Sequence, residues 1–294
     1  MIQESRDRVI SSVLFIPTLF SGIVLIAMIV VLFQKSGKIL TQLPLTELLF
    51  SSSWEPIAGN FGFLPFIMGT IWVTALAMLT AIPISLLSAI YLSEYAHVKV
   101  REIIQPVIDL LAGIPSVVYG LFGILLVVPF IKNYIAPAVG VLTSGYCVLA
   151  GGIVLAIMVF PILISLSFEV LRTVPDEMRE ASLGLGATRW ETIKYVVLKR
   201  AFPGIIAAII LGFSRAFGET MAVLMVVGNV AKVPNSVFDP AYPIPALIAN
   251  NYGEMMSIPL YDSALMFAAL ILLVIVVAFN IAAKYVFLKL SVMT

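Results

Sequence analysis

Between Glu55 and Glu94 the chain runs 38 residues, Pro56 to Ser93, without one charged side chain. Four further runs share this property: Val9 to Gln34 (26 residues), Leu110 to Ile131 (22), Asn133 to Phe168 (36) and Ser263 to Ala283 (21). Roughly 20 apolar residues in a helix cross about 30 Å of hydrocarbon, and two spans with a turn need more than the longest run offers. Each run therefore holds one span. A sixth apolar stretch, Pro203 to Val230, is interrupted only by Arg215 and Glu219. Six membrane helices are predicted, at roughly 9–33, 64–92, 107–131, 146–168, 203–227 and 263–284. The runs are continuous rather than alternating, which excludes a β-barrel. The first is too long for the apolar part of a cleavable signal and lacks a small-residue cleavage site after it, so it reads as a retained helix. The fold class is an all-α integral membrane protein.

The few charges sort by side. With the N-terminus inside, 12 of the 17 Lys and Arg residues face the cytoplasm: Arg6, Arg8, Lys99, Arg101, Arg172, Arg179, Arg189, Lys194, Lys199, Arg200, Lys284 and Lys289. Lys35, Lys38, Lys132 and Lys232 fall outside and Arg215 in the membrane, a bias that sets the orientation. Both termini are placed in the cytoplasm. A net charge of +1 excludes binding to nucleic acid through bulk basic charge. The single Cys147 and single His97 leave no internal disulfide and no Cys- or His-rich metal centre. His97 is given no role, and Asp109 reads as an interfacial carboxylate.

Two outer segments are polar, Gln34 to Asn60 and Asn229 to Asp262. The second carries Pro234, Pro240, Pro243, Pro245 and Pro259, which points to a shaped loop with a short helix around Ile244 to Tyr252. It reads either as a connector or as a docking surface for an external partner.

The cytoplasmic loop Glu169 to Arg200 concentrates 11 of the charged residues. Pro175, Asp176 and Glu177 suit a helix start, where proline fits the first turn and acids meet the positive dipole end. A helix through Glu180-Ala181-Ser182-Leu183 is expected to stop at Gly184-Leu185-Gly186, because glycine takes the left-handed conformation that ends helices. Thr188 with Glu191 forms a capping box for a second, amphipathic helix carrying Trp190, Ile193, Val196 and Val197. A helix, glycine turn and helix with exposed apolar side chains fits a knob inserted into a cytoplasmic partner better than a solvated linker.

Helix five holds the last informative charges. Arg215 lies 12 residues past Pro203, about 18 Å into the membrane at roughly 1.5 Å per residue. A lone Arg at that depth costs about 2.5–3.5 kcal/mol on insertion scales. Glu219 at i+4 is predicted to share its face and pair with it. The pair is open to two readings: a lock between helix five and a neighbour, or an anion site in a translocation path, since guanidinium presents a planar donor fork to phosphate or carboxylate oxygens. In the second reading Glu219 holds Arg215 and accepts a hydrogen bond from a protonated oxyanion, favouring hydrogenphosphate over sulfate. In helix three Pro115 is predicted to kink the chain, with Gly113 and Gly120 allowing close approach and Ser116 and Tyr119 adding hydroxyls at depth. Packing and pore lining both fit that segment.

These motifs carry a resemblance. Glu180-Ala181-Ser182, three residues, Gly186 and then Leu198 resembles the EAA loop of ABC importer permeases, with Ser182 in place of the third-position Ala and Lys199 where that family usually has Pro. The segment Leu211 to Val223, including Arg215, Glu219 and Thr220, is similar to the helix-five signature of phosphate ABC importer permeases. So are Leu111 to Gly120, the run Trp54, Pro56, Phe61-Gly62, Pro65-Phe66 and Gly69-Thr70, and Tyr91-Leu92-Ser93-Glu94-Tyr95-Ala96; the match is to the PstC type rather than the PstA type. The resemblance implies a type I importer permease fold, MetI-like, with an N-terminal helix and extracytoplasmic segment at 1–60 and a transmembrane core at 61–294. It implies a substrate pathway through Arg215, Glu219, Ser116, Tyr119 and Thr220, and an ATPase-coupling set of Glu180, Ala181, Ser182, Gly184, Gly186 and Leu198. Implied partners are a second permease of the PstA type, a cytoplasmic ATPase dimer of the PstB type, a phosphate-binding protein of the PstS type outside, and phosphate itself, in the inner membrane of a prokaryote. No Gly-rich Lys-Ser/Thr loop is present, so ATP and Mg are expected on the partner subunits and no cofactor on this chain, which is not itself an enzyme. A permease for molybdate, tungstate or sulfate and a proton-coupled secondary anion transporter are the alternatives. A membrane enzyme would need clustered His, Asp or Cys, and a channel a repeated filter.

Overall fold

In the computed structural model, residues 2–254, 258 and 260–291 are described, with side chains for 13–254, 258 and 260–285. Pro259 and the side chains of Arg6, Arg8 and Lys289 lie outside that set. Among the described residues six helices are long and apolar enough to cross a membrane. The first, α1 (Ile2–Gln42), runs past the predicted end near residue 33 because nothing stops it before Pro44. Lys35 and Lys38 mark the interface without ending the helix. There the Ser263 hydroxyl donates to the Lys35 carbonyl (2.9 Å) and accepts the Ile39 N–H (3.1 Å).

A short α2 (Leu45–Phe50) and a two-residue hairpin, β1 (Trp54–Glu55) with β2 (Asn60–Phe61), cap the outer side. Trp54 is the centre of this cap, with its ring edge-on to Phe66 (4.7 Å), Phe63 (5.4 Å), Phe61 (5.5 Å) and Tyr261 (5.9 Å). Such geometry adds roughly 0.5–1.5 kcal/mol per pair beyond area burial.

The second span, α3 (Leu64–Tyr95), ends in one π-helical turn, Tyr91–Tyr95. The predicted helix at 107–131 is two helices. An amphipathic α4 (Val98–Ala112) ends at Gly113, and a new span, α5 (Ser116–Ala138), begins after Pro115. Pro115 has no N–H to donate and pushes Ile114 out of helical geometry, so the chain breaks where a kink was expected. The Tyr119 hydroxyl bridges the break, donating to the Leu111 carbonyl at 2.7 Å.

The fourth span is α6 (Val148–Arg172), packed along α3. The loop that follows holds α7 (Asp176–Gly184). The second loop helix and span five are one element, α8 (Arg189–Phe217), rather than two. Pro203 inside it deprives only the Lys199 carbonyl of its helical donor, at an exposed position where water can replace it. Span five, expected to reach residue 227, stops ten residues short, at Phe217, and a one-turn α9 (Met221–Leu224) follows. On the outer side α10 (Ile244–Asn251) forms where a short helix was expected, and α11 (Tyr261–Ser291) is the sixth span.

The core is stacked in three layers. An outer one joins Ile39, Leu48, Phe63, Phe66, Ile244 and Leu265, a central one joins α3, α5, α6 and α9, and a cytoplasmic one joins Ile90, Leu92, Phe168, Leu171, Ile193 and Val197.

Candidate functional site

The break in span five creates the first region of interest. Arg215 occupies the last turn of α8, where the free carbonyls of the helix end favour a cation. Gly218, Glu219 and Thr220 then leave the helix. Irregular backbone at membrane depth is tolerated where protein or a cavity surrounds it. Here it packs on α5: a Cβ on Gly120 would lie 2.5 Å from the Met225 sulfur and 3.3 Å from Ala222 Cα, so any larger residue would have to displace the Met225 side chain and press on the α9 backbone.

The expected Arg215–Glu219 pair is not formed. Helical i, i+4 geometry ends at Phe217, and the Glu219 carboxylate turns forward to accept the Ala222 N–H at 3.0 Å, capping α9. Arg215 is exposed on the face turned away from the subunit core and stands within Coulombic range of Tyr119. Among the described residues no carboxylate lies within salt-bridge distance of it. The Thr220 hydroxyl donates back to the Gly218 carbonyl (3.3 Å), and the Tyr119 hydroxyl is committed to Leu111. Ser116 is half-buried at the start of α5. Thr70, Thr74 and Glu219 line a small cavity between α3, α8 and the outer loop. The fold thus gathers Arg215, Tyr119 and Thr220 beside the break while directing Glu219 inward.

Two polar contacts between helices escape the sequence. Ser214 donates to Asn280 Oδ1 (2.9 Å), tying α8 to α11, and Ser165 donates to Asp109 (3.2 Å), tying α6 to α4. An asparagine in an otherwise apolar span was the available signal for the first.

The cytoplasmic loop is the second region. Pro175 is extended ahead of α7, and Asp176 and Glu177 fill the first turn. The helix closes at Gly186 (φ +90°): the Ala187 N–H reaches the Ser182 carbonyl and the Gly186 N–H the Leu183 carbonyl, the paired bonds of a left-handed C-terminal cap. Thr188 and Glu191 form the expected capping box, with the Thr188 N–H donating to Glu191 (2.8 Å) and the Glu191 N–H to Thr188 Oγ1 (3.3 Å). The Ser182 and Thr192 hydroxyls meet at 2.9 Å, joining α7 to the start of α8. Glu180, Ala181, Gly184 and Gly186 all lie on the exposed side, with Leu185 at 91% and Trp190 at 52% exposure. Leu198 faces the other way, into the cytoplasmic core layer.

Arg179 holds this loop from behind. It makes a two-pronged ion pair with Glu94 at the end of α3 (2.9 and 3.3 Å), bonds Asp176 (3.0 Å) and donates to the Leu171 and Val174 carbonyls. Glu94 had drawn no role from the sequence. The signal was a lone acid at a span end amid the basic residues that set topology.

Comparison with known proteins bears on both regions. The family of inner membrane components of binding-protein-dependent transport systems matches residues 81–292. The chain belongs to that family. It is 40% identical over 241 residues to the probable ABC transporter permease protein YqgH of Bacillus subtilis, covering 81% of this chain and 76% of that one. It is 38% identical over 269 residues to the phosphate transport system permease protein PstC of Xylella fastidiosa, covering 87% and 82%. Among solved structures, a chain of a bacterial importer of alginate superposes with a TM-score of 0.63 at 16% identity, over 97% of this chain and 96% of that one. The inward-facing MetNI methionine transporter gives 0.56 at 17% identity, over 84% and 98%. The six-span MetI-like fold expected from the resemblance is therefore observed. This is a multi-pass protein of the cytoplasmic membrane and the permease subunit of an ABC importer, not its ATP-hydrolysing subunit.

Proposed function

We propose that this permease is the PstC-type half of a phosphate importer. The observation that carries the reading is Arg215, an exposed guanidinium in the last turn before the break of span five with no carboxylate in reach among the described residues. Arginines within spans are costly in hydrocarbon and mark solute routes by default, and the donor fork of this one suits a tetrahedral oxyanion. The phosphate names of several relatives support the substrate. Thr220 and Ser116 lie along the same route with Tyr119 held at its edge by Leu111, and on anion binding Glu219 swings its second oxygen outward to the proton of hydrogenphosphate while the first holds α9.

A PstA-type permease completes the pore against the exposed Arg215 face. A PstS-type protein delivers phosphate to the outer loops. A PstB-type ATPase dimer receives the 176–198 loop through Glu180, Ala181, Ser182, Gly184 and Gly186, with Leu198 anchoring the loop to the 61–294 core. ATP binding outside this chain shifts the loop and reorients the spans, and phosphate crosses by alternating access. The test is reconstitution of the four components in vesicles with ATP-dependent uptake of phosphate set against sulfate and molybdate. Phosphate uptake that exceeds the others at least tenfold supports the reading. A preference for molybdate or sulfate would replace the substrate and keep the mechanism, and uptake driven by a proton gradient without ATP would overturn it.

A further inference from the structure

The π-helical end of α3 is gripped by arginines from three directions. The last carbonyls of a helix have no partner within it. Here Arg101 of α4 takes those of Leu92 (3.1 Å) and Ser93 (2.9 Å), and Arg189 of α8 takes that of Glu94 while lying 4.9 Å over the Tyr95 ring. The Glu94 side chain adds the fourth tie, the two-pronged pair with Arg179 of α7, supported by the Ser93 hydroxyl at 3.0 Å. The two charged side chains are only 17% and 9% exposed, so water screens the pair little.

We infer that Glu94 is a positioning residue that transmits motion of the cytoplasmic loop to span α3. The inference rests on the reading of that loop as the ATPase contact. Arg179 is fixed to α7 through Asp176 and to the end of α6 through the Leu171 and Val174 carbonyls, so a displaced α7 carries the guanidinium with it. The carboxylate of Glu94 is the charged group on α3 that this guanidinium grips. Ser182 and Thr192 tie the same loop to α8. One loop movement therefore pulls two spans at their cytoplasmic ends. At its other end α3 presents Thr70 and Thr74 to the cavity that Glu219 lines, beside the break in span five. A continuous helix of 32 residues links the grip to that cavity. A pair meant only to fix the fold has no need to join the exposed loop to a span that packs beside the break in span five.

The experiment uses the whole complex in vesicles and reads the ratio of ATP hydrolysis with and without the cognate binding protein, purified with whatever solute it holds. Glu94→Gln keeps the size and a hydrogen-bonding end but removes the charge. We expect unstimulated hydrolysis and subunit stoichiometry within twofold of the parent, and a stimulation ratio at least fivefold lower. Glu94→Asp keeps the charge on a shorter arm and is expected to recover half of that ratio or more. A purely structural pair gives the reverse order, with the near-isosteric Gln benign and Asp worse, and that order overturns the proposal. Leu185→Asp, on the exposed face of the loop, separates the two readings. Release of the ATPase by Leu185→Asp with an unaltered ratio in Glu94→Gln overturns this proposal alone. Retention of the ATPase with full stimulation in Leu185→Asp overturns the loop reading and this proposal with it.

Discussion

Glu219 caps the backbone N–H of Ala222 instead of pairing with Arg215 four residues before it. The acid thereby satisfies a donor that the one-turn α9 leaves open, and it keeps its charge near the positive end of that turn. Glutamine at 219 can keep the cap but not the charge. Glu219→Gln is expected to assemble normally and to lose about tenfold of its preference for phosphate over sulfate, measured by competitive uptake in vesicles. An unchanged preference would show that the cap is the whole role. Glu219→Ala removes the cap as well and is expected to cost about 1 kcal/mol.

Arg215 is exposed, and among the described residues it makes no ion pair or side-chain hydrogen bond. Arg215→Ala removes an expensive mid-membrane charge, so stability is expected to hold or rise, while uptake falls by two orders of magnitude or more. Arg215→Lys retains charge without the planar fork and should lie between. Thermal unfolding and subunit co-purification check the first half, and uptake the second. Loss of assembly in Arg215→Ala would instead mark the arginine as a lock between helices.

Two glycines two residues apart separate folding from docking. A Cβ on Gly184 meets nothing within 4 Å, and the residue ends α7 in ordinary helical geometry. Gly184→Ala is expected to stabilise the loop by roughly 0.5–1 kcal/mol. At Gly186, with φ +90°, alanine meets a backbone penalty of roughly 1–2 kcal/mol. If the loop seats in the ATPase, Gly184→Ala weakens co-purification of the ATPase without lowering the melting temperature, and Gly186→Ala lowers both.

Six spans were legible because hydrocarbon imposes length and apolarity on each, and the capped loop was legible because Gly186, Thr188 and Glu191 act on backbone groups within a few residues of themselves. Arg215 and Glu219 fared differently. Pairing at i, i+4 assumes a continuous helix, and the sequence Phe217-Gly218-Glu219-Thr220 contains no proline to announce a break. Gly218 permits the break, and the packing of Gly120 on Ala222 and Met225, a contact across about 100 residues, fixes it. Glu94 was hidden for the same reason, since its partner lies 85 residues away. Contacts within one turn of chain announce themselves in sequence, and contacts between spans do not.

Cys147 is fully buried at the outer start of α6. Burial pushes its thiol up, and Asp239 adds to the rise, against a smaller opposing effect of the Ala150 and Leu149 N–H groups. The fold therefore holds the neutral form. Its contribution to stability is complete below the unfolded value of roughly 8.5 and is lost as pH rises through the folded one. Maleimide labelling at pH 7.5 is expected to be at least a hundredfold slower in the folded permease than in denaturant. Since this is the chain's one cysteine, any fast labelling of the native protein would show that the outer end of α6 opens.

Thr70 joins the second span to the outer loop by a single oxygen. Its hydroxyl donates to the Phe66 carbonyl (2.8 Å) and accepts the N–H of Ile244 at the start of α10 (2.9 Å), and the residue is 2% exposed. Thr70→Val keeps the shape and removes both bonds. The Phe66 carbonyl keeps its helical partner, but the Ile244 N–H is left buried with none, which costs about 1–3 kcal/mol. Thr70→Ser restores the oxygen and should recover most of that loss. The melting temperature of the purified complex is therefore expected to fall in Thr70→Val and to return in Thr70→Ser. Equal melting temperatures for Val and the parent would mean that water reaches Ile244, and hence that the seam between α3 and α10 is open to the outer side.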